Sequence, residues 1–268
     1  MSFHTGSHHA IYRDAALYDL AFSYRDYDAE VAFLARVFSR HARRPLVSFL
    51  EVAAGPGRHA LSMARRGTRA AALDLAPEML ALGARLAAEQ GLAVEGIAGD
   101  MRCFELAAPV DCAASMLCSA SYLVSDTALD CHLDCMARAV APGGLYILEL
   151  AYPESPKTQS QWQVPLPDAC GHLDVAWEGE RPRLVGSAAF ARTTATLALV
   201  LDGREVRRVS CAADQRIFTR DDWAARTQPD SPFELVDVFG ALDENVALHD
   251  PHAWRMVIAL RRKAASPS

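Results

Sequence analysis

A chain of 268 residues in which 51% are hydrophobic and 22% charged carries enough apolar side chain for a sizeable core, which excludes wholesale disorder and small stapled scaffolds. Its net charge of −6 argues against a broad nucleic-acid footprint, which needs cations clustered on one face. No run approaches the ~20 consecutive apolar residues that span a bilayer. The seven cysteines include no CxxC pair, so reduced thiols in a cytoplasmic protein without a metal centre are expected.

The chain up to residue 45 reads as helical. Ala16, Leu17 and Leu20, then Val31, Phe33, Leu34, Val37 and Phe38, recur at the spacing of one apolar helix face, which predicts a helical lid over 1–45. From Leu46 short apolar runs alternate with helical stretches, the pattern of βαβ units around a parallel sheet. Strands are predicted near 47–52, 69–74, 93–98, 110–117 and 144–150, with helices near 58–66, 76–90 and 126–140. Five prolines between 153 and 182 mark 153–185 as loop-rich. Thr194–Leu201 and Glu205–Cys211 flank Asp202-Gly203, a strong hairpin signal. A helix near 220–227 and strands near 233–239 and 254–261 complete an α/β, doubly wound arrangement. The expected division is a lid over 1–45, a core over 46–152, a loop-and-hairpin insertion over 153–215 and the end of the core sheet over 216–263.

The most informative stretch runs from Val47 to His59, a strand entering a glycine turn and then a helix. Gly55 and Gly57 let the backbone turn tightly and approach a ligand without a Cβ in the way. With Ala60 they also satisfy a G-x-G-x-x-A dinucleotide pattern, so the turn alone does not choose a cofactor. The second strand ends in Asp74, where a carboxylate can accept both hydroxyls of an adenosine ribose, and Asp100 follows the third. In a parallel sheet these ends share one edge, so Glu51, Asp74 and Asp100 should line a single crevice.

Together these residues resemble the class I S-adenosylmethionine-dependent methyltransferases. Glu51 to Gly57 match the family's acid and glycine-rich turn, Asp74 its ribose-binding acid, and Asp100 with Met101 its adenine side. Val110 to Leu117 match the fourth strand, and Ala141-Pro142-Gly143-Gly144 the turn into the fifth, so the resemblance covers residues 46–150. It implies a Rossmann-like, mostly parallel seven-stranded sheet with an antiparallel last strand. It implies S-adenosylmethionine held by Glu51, Ala53, Gly55, Gly57, Asp74, Leu75, Met79, Asp100, Met101 and Met116. The implied reaction is methyl transfer to N or O of a small metabolite, in a monomer or homodimer. Tyr18, Tyr122 and Tyr152 are the candidate catalytic groups, with His59 and His132 weighed as bases and Arg58 as a partner for a carboxylate. One departure is Ala53, where the family usually has glycine. Two alternatives keep the cofactor: an intramolecular cyclisation releasing methylthioadenosine, and a sensing module without turnover. A dehydrogenase is disfavoured by Glu51, because such enzymes normally enter the turn with an apolar residue.

Overall fold

The computed structural model describes residues 10–152, 160–166 and 170–264. It opens with three helices, α1 (Ala10–Arg13), α2 (Ala15–Ala21) and α3 (Tyr27–His41). Asp26 caps α3 by accepting from the Ala29 amide at 2.9 Å. Acids in its first turn and Arg40 and His41 in its last complement the helix dipole, while Val31, Phe33, Leu34, Val37 and Phe38 face inward.

The core follows as β1 (Ser48–Val52), α4 (Arg58–Arg65), β2 (Arg69–Asp74), α5 (Pro77–Glu89), β3 (Val94–Ala98), β4 (Val110–Ser115), a 3-10 turn (Ser119–Tyr122), α6 (Asp126–Ala139) and β5 (Val140–Ala151). Every residue of β1 and β4 is buried, as expected of central parallel strands covered on both faces. Phe49 packs towards α3 and α4 in one hydrophobic cluster, and Leu50 belongs to the cluster on the opposite face with Tyr146 and Trp223. Later in the chain, α7 (Arg220–Arg226), β11 (Phe233–Phe239) and β12 (Arg255–Arg262) finish this sheet. Its order is β11-β12-β5-β4-β1-β2-β3, with β12 antiparallel to both neighbours and the pairs from β5 to β3 parallel. That is the mostly parallel, seven-stranded Rossmann-like sheet anticipated from the resemblance. Its strand order reverses at β1, which opens a crevice at the carboxyl ends of β1 and β4.

The segment read as loop-rich requires correction. Between 160 and 185 the chain forms β6 (Gln161–Pro165), β7 (Gly171–Gly179) and β8 (Arg183–Val185), and the hairpin extends to β9 (Ala188–Leu201) and β10 (Arg204–Ile217). These build an antiparallel sheet of order β10-β9-β7-β6, with β8 on β9. The prolines misled because Pro165 ends a strand and Pro182 precedes one, positions where a missing N–H costs no ladder bond. Pro153, Pro156 and Pro167 fall outside the described residues. The hairpin turn itself is as read: Asp202 and Gly203 both have positive φ, 47° and 73°. One face of this sheet buries Val164, Leu173, Val175, Leu197 and Cys211 against Ile11, Leu17, Ala21 and Phe22. The antiparallel sheet thus backs the N-terminal helices, which in turn cover the crevice. No helix among the described residues is long and apolar enough to cross a membrane.

Candidate active site

The turn after β1 departs from ordinary backbone at three residues. Ala53, Gly55 and Gly57 have φ of 51°, 55° and 71°, the left-handed region. This explains why glycine suits position 53, where a Cβ costs about 1 kcal/mol of backbone strain. At Gly57 a Cβ would stand 3.0 Å from that of Ala72, so the glycine also lets α4 press on β2. Gly83 on α5, which the sequence reading passed over, lies tighter still: a Cβ there would meet the Pro56 carbonyl oxygen at 2.7 Å.

Asp74 stands at the carboxyl end of β2. Its Oδ2 accepts the Gly55 amide at 2.7 Å and its Oδ1 the Ala76 amide at 2.8 Å, so the carboxylate orients the turn that it faces. Burial raises its pKa, opposed by those amide bonds. Leu75 beside it is 56% exposed, an apolar surface at the rim. Met79 is fully buried in a cluster with Tyr12 and Tyr18, and Tyr18 Cε1 lies 3.6 Å from where a Gly55 Cβ would be. Asp100 follows β3, and Arg102, two residues on, holds it through Nε and Nη2 at 2.5–3.0 Å. Those bonds lower the pKa of its carboxyl against the opposing effect of burial. Met101 packs beside the core, and its carbonyl oxygen lies 2.8 Å from His132 Nδ1.

Glu51 is buried, with both oxygens engaged: Oε1 lies 2.7 Å from His59 Nδ1 and Oε2 accepts the Ala60 amide at 2.8 Å. The other imidazole nitrogen lies 2.7 Å from Glu30 Oε2 on α3. Glu30 in turn accepts from Arg25 at 2.8 Å, Arg25 donates to Glu149 at 3.0 Å, and Arg255 Nε donates to Glu149 at 3.1 Å. Six charged groups, three of each sign, therefore run beneath the crevice from β1 through the N-terminal helices to β5 and β12. Glu149 Oε2 also accepts the Leu117 amide at 2.9 Å, bracing two successive left-handed residues, Leu117 and Cys118, with φ of 54° and 60°. Of this series the sequence reading singled out Glu51 and His59; Arg25, Glu30, Glu149 and Arg255 carried no spacing signal.

The crevice is lined by Tyr18, Phe22, Tyr27 and Arg58 on one side and Ala53, Pro56, Met116 and Ser119 on the other. Arg58 forms a two-point ion pair with Asp19 of α2 at 2.7 and 2.5 Å. The cavity volume is about 20 Å³, room for about one water. Tyr122 lies next to the crevice, its hydroxyl 2.7 Å from that of Tyr12, and Tyr12 and Tyr18 rings pack at 5.4 Å. Burial raises the pKa of Tyr12, Tyr18 and Tyr122, so all three stay protonated at neutral pH. The structure does not bring Tyr152 to this group: its hydroxyl lies 3.4 Å from His249 Nδ1 beyond the end of β5. His132 is likewise remote, buried between the Met101 carbonyl and the Tyr146 hydroxyl, and burial pushes its pKa down to about 4.

These residues fit an adenosyl sulfonium. Asp74 offers a carboxylate to a ribose diol, Leu75 an apolar rim to a base, and Gly55 and Gly57 a turn without Cβ. The carbonyl oxygens of Ala53 and Met116, both within reach of Ser119 Oγ at 3.5 and 2.9 Å, are acceptors for an ammonium, and Glu51 stands with them in the lining of the crevice.

Residues 49–144 match the family described as a methyltransferase domain. A dTDP-3-amino-3,6-dideoxy-alpha-D-glucopyranose N,N-dimethyltransferase of Streptomyces fradiae is 33% identical over 137 residues, 50% of this chain and 52% of that relative. The chain thus matches about half the length of this curated relative. Among solved structures, an S-adenosylmethionine-dependent methyltransferase of Clostridium acetobutylicum shares the fold with a TM-score of 0.73 at 15% identity, over 94% of this chain and 98% of the other. The amino pentose methyltransferase CalS10 of Micromonospora echinaspora, solved with S-adenosylmethionine bound, gives a TM-score of 0.67 at 23% identity over 91% and 96%.

Proposed function

The chain belongs to the class I S-adenosylmethionine-dependent methyltransferases, and from that premise we propose that it methylates the amino group of a small metabolite, an amino sugar carried on a nucleotide. The observation that carries the methyl-transfer reading is Asp74, fastened by the Gly55 and Ala76 amides at the mouth of a crevice whose turn is glycine-built. Support for an amino-sugar acceptor comes from the Streptomyces fradiae relative, an amino-sugar N,N-dimethyltransferase. When bound, the sulfonium supplies a methyl carbon open to displacement by an amine lone pair.

The chain's own contribution is binding and exclusion of water. Among the described residues lining the crevice, Glu51 is ion-paired and amide-bonded, Asp19 is held by Arg58 at two points, His59 faces two carboxylates and the tyrosines stay protonated. None is poised to take a proton at neutral pH, so the amine must arrive neutral. Positioning then does most of the work, and effective molarities of that kind remove roughly 7 kcal/mol or more of a barrier. The rings of Tyr12, Tyr18 and Tyr122 offer electron-rich faces to the alkylammonium product. We assign α1 and α2 as a lid over this site, with the antiparallel sheet behind them shaping the acceptor pocket.

The test incubates the enzyme with S-adenosylmethionine and a thymidine diphosphate 3-amino-3,6-dideoxyhexose, with the 3-hydroxy sugar in parallel. The expected result is S-adenosylhomocysteine together with an amino sugar heavier by one or two methylene units. Turnover of the hydroxy sugar alone would refute amine selectivity, and absence of any thermal shift with S-adenosylhomocysteine would refute the cofactor assignment.

A further inference from the structure

We propose that Tyr24, with Trp162 standing edge-on beside it, is the stacking platform for the base of the nucleotide that carries the acceptor sugar. The nucleotide carrier comes from the amino-sugar reading above, on which this assignment rests. Tyr24, on the link between α2 and α3, is 64% exposed, whereas the other tyrosines of the chain are buried or half-buried. A phenol ring left in water keeps apolar surface that a planar ligand can cover. The ring is also continuous with the crevice. Phe22 lines the crevice, and its centroid lies 4.9 Å from that of Tyr18, 5.9 Å from Trp162 and 6.5 Å from Tyr24, so an aromatic row leads outward. Trp162 is pinned by its Nε1, which donates to the Ala21 carbonyl at 2.9 Å, and its ring meets that of Tyr24 at 6.0 Å and 78°. A fixed indole at a right angle to an open phenol forms a step that receives a flat aromatic ring, face against Tyr24 and edge against Trp162.

The sheet order places this step on the acceptor's side. Asp74 ends β2, so the adenosyl group lies over the β1, β2 and β3 flank. The charged groups around Tyr24 are Arg25, Glu30, Glu149 of β5 and Arg255 of β12, and β5 and β12 lie on the other flank. Glu149 also accepts the amide of Leu117, which lines the crevice, so the two flanks meet there. The acceptor therefore reaches the methyl group from the flank that Tyr24 occupies. The four charged groups are two of each sign and are bonded to one another, so what the step offers a ligand is aromatic surface without net charge. That chemistry selects a base, for which stacking on an aromatic side chain is a strong and sequence-tolerant contact.

Calorimetry on the full chain, saturated with S-adenosylhomocysteine, titrates thymidine diphosphate and, in parallel, glucose 1-phosphate, which has no base. The wild type should bind thymidine diphosphate, Tyr24→Ala about tenfold or more weakly, and Tyr24→Phe as the wild type does, since the ring alone stacks. Affinity for S-adenosylhomocysteine by itself should be equal in all three, which also shows that the variants are folded. With the nucleotide amino sugar as substrate, Tyr24→Ala should raise KM by a similar factor and hold kcat. Equal thymidine diphosphate affinity in Tyr24→Ala and wild type, no uptake by the wild type, or tighter binding of glucose 1-phosphate overturns the assignment. Weakened thymidine diphosphate binding in Tyr24→Ala without turnover of the amino sugar by the wild type keeps the platform and sinks the amino-sugar reading. Turnover with an unchanged KM in Tyr24→Ala does the reverse.

Discussion

Replacing Glu149 by Gln removes one negative charge from the centre of a buried cluster while nearly keeping the shape of the side chain. Glu149 is fully buried, accepts from Arg25 at 3.0 Å and Arg255 at 3.1 Å, and receives the Leu117 amide at 2.9 Å. Burial alone would raise its pKa, but Arg25, Arg255 and the Leu117 amide bring it from 4.5 down to about 2. Because the folded value lies below the unfolded one, the stability it contributes is complete above pH 4.5 and is lost as pH falls towards 2. At 1.36 kcal/mol per pH unit the amount is about 3 kcal/mol. Gln leaves Arg25 and Arg255 facing each other without an anion between them, and removing one partner of a buried pair costs about 3–5 kcal/mol. Urea unfolding at pH 7 should therefore show a loss of about 3 kcal/mol, and Tm should fall by roughly 6–12 °C. The difference in stability between wild type and variant should shrink steadily as the acid limb is descended. A variant as stable as the wild type at pH 7, or a difference that does not shrink in acid, would refute the reasoning.

Asp74→Ala should weaken S-adenosylhomocysteine binding about a hundredfold by calorimetry, since two charge-assisted hydrogen bonds are lost and the Gly55 and Ala76 amides lose their acceptor; undiminished uptake would remove the ribose assignment. Gly83→Ala, whose Cβ would meet the Pro56 oxygen at 2.7 Å, should cost about 1–3 kcal/mol and loosen the glycine turn. Gly96→Ala, with Leu80 no closer than 3.9 Å, should be near neutral by the same melt. The pKa of buried His132, depressed from 6.5 to about 4, makes the fold lose stability as pH falls through that interval. In His132→Gln this segment of the pH–stability curve should flatten by about 3 kcal/mol, checked by chemical unfolding at pH 7 and pH 4.5.

The parts of the site legible beforehand are those whose partners lie close along the chain. Asp74 meets the Ala76 amide two residues on, and Gly55 and Gly57 follow directly from the strand they terminate. The reading of 153–185 as loop failed because prolines were weighed above a short alternation, Val164 on β6 and Leu173 and Val175 on β7, that marks the buried face of two strands. Tyr152 was grouped with the other tyrosines for its place after β5, yet the structure directs its hydroxyl to His249, a choice no spacing reveals.

Composition, apolar period and turn chemistry by themselves determined a doubly wound α/β core with its cofactor-type turn, because each of those signals arises between residues a few positions apart. Only the tertiary structure decided that Arg25, 124 residues from Glu149, and Arg255, 106 residues from it, would share one carboxylate, or that Glu30 and Glu51 would close on His59 from opposite sides. Such groups carry no local periodicity. Their pairing is settled by which strand ends and helices come to lie side by side, and a buried charge must find its partner wherever the fold has put it.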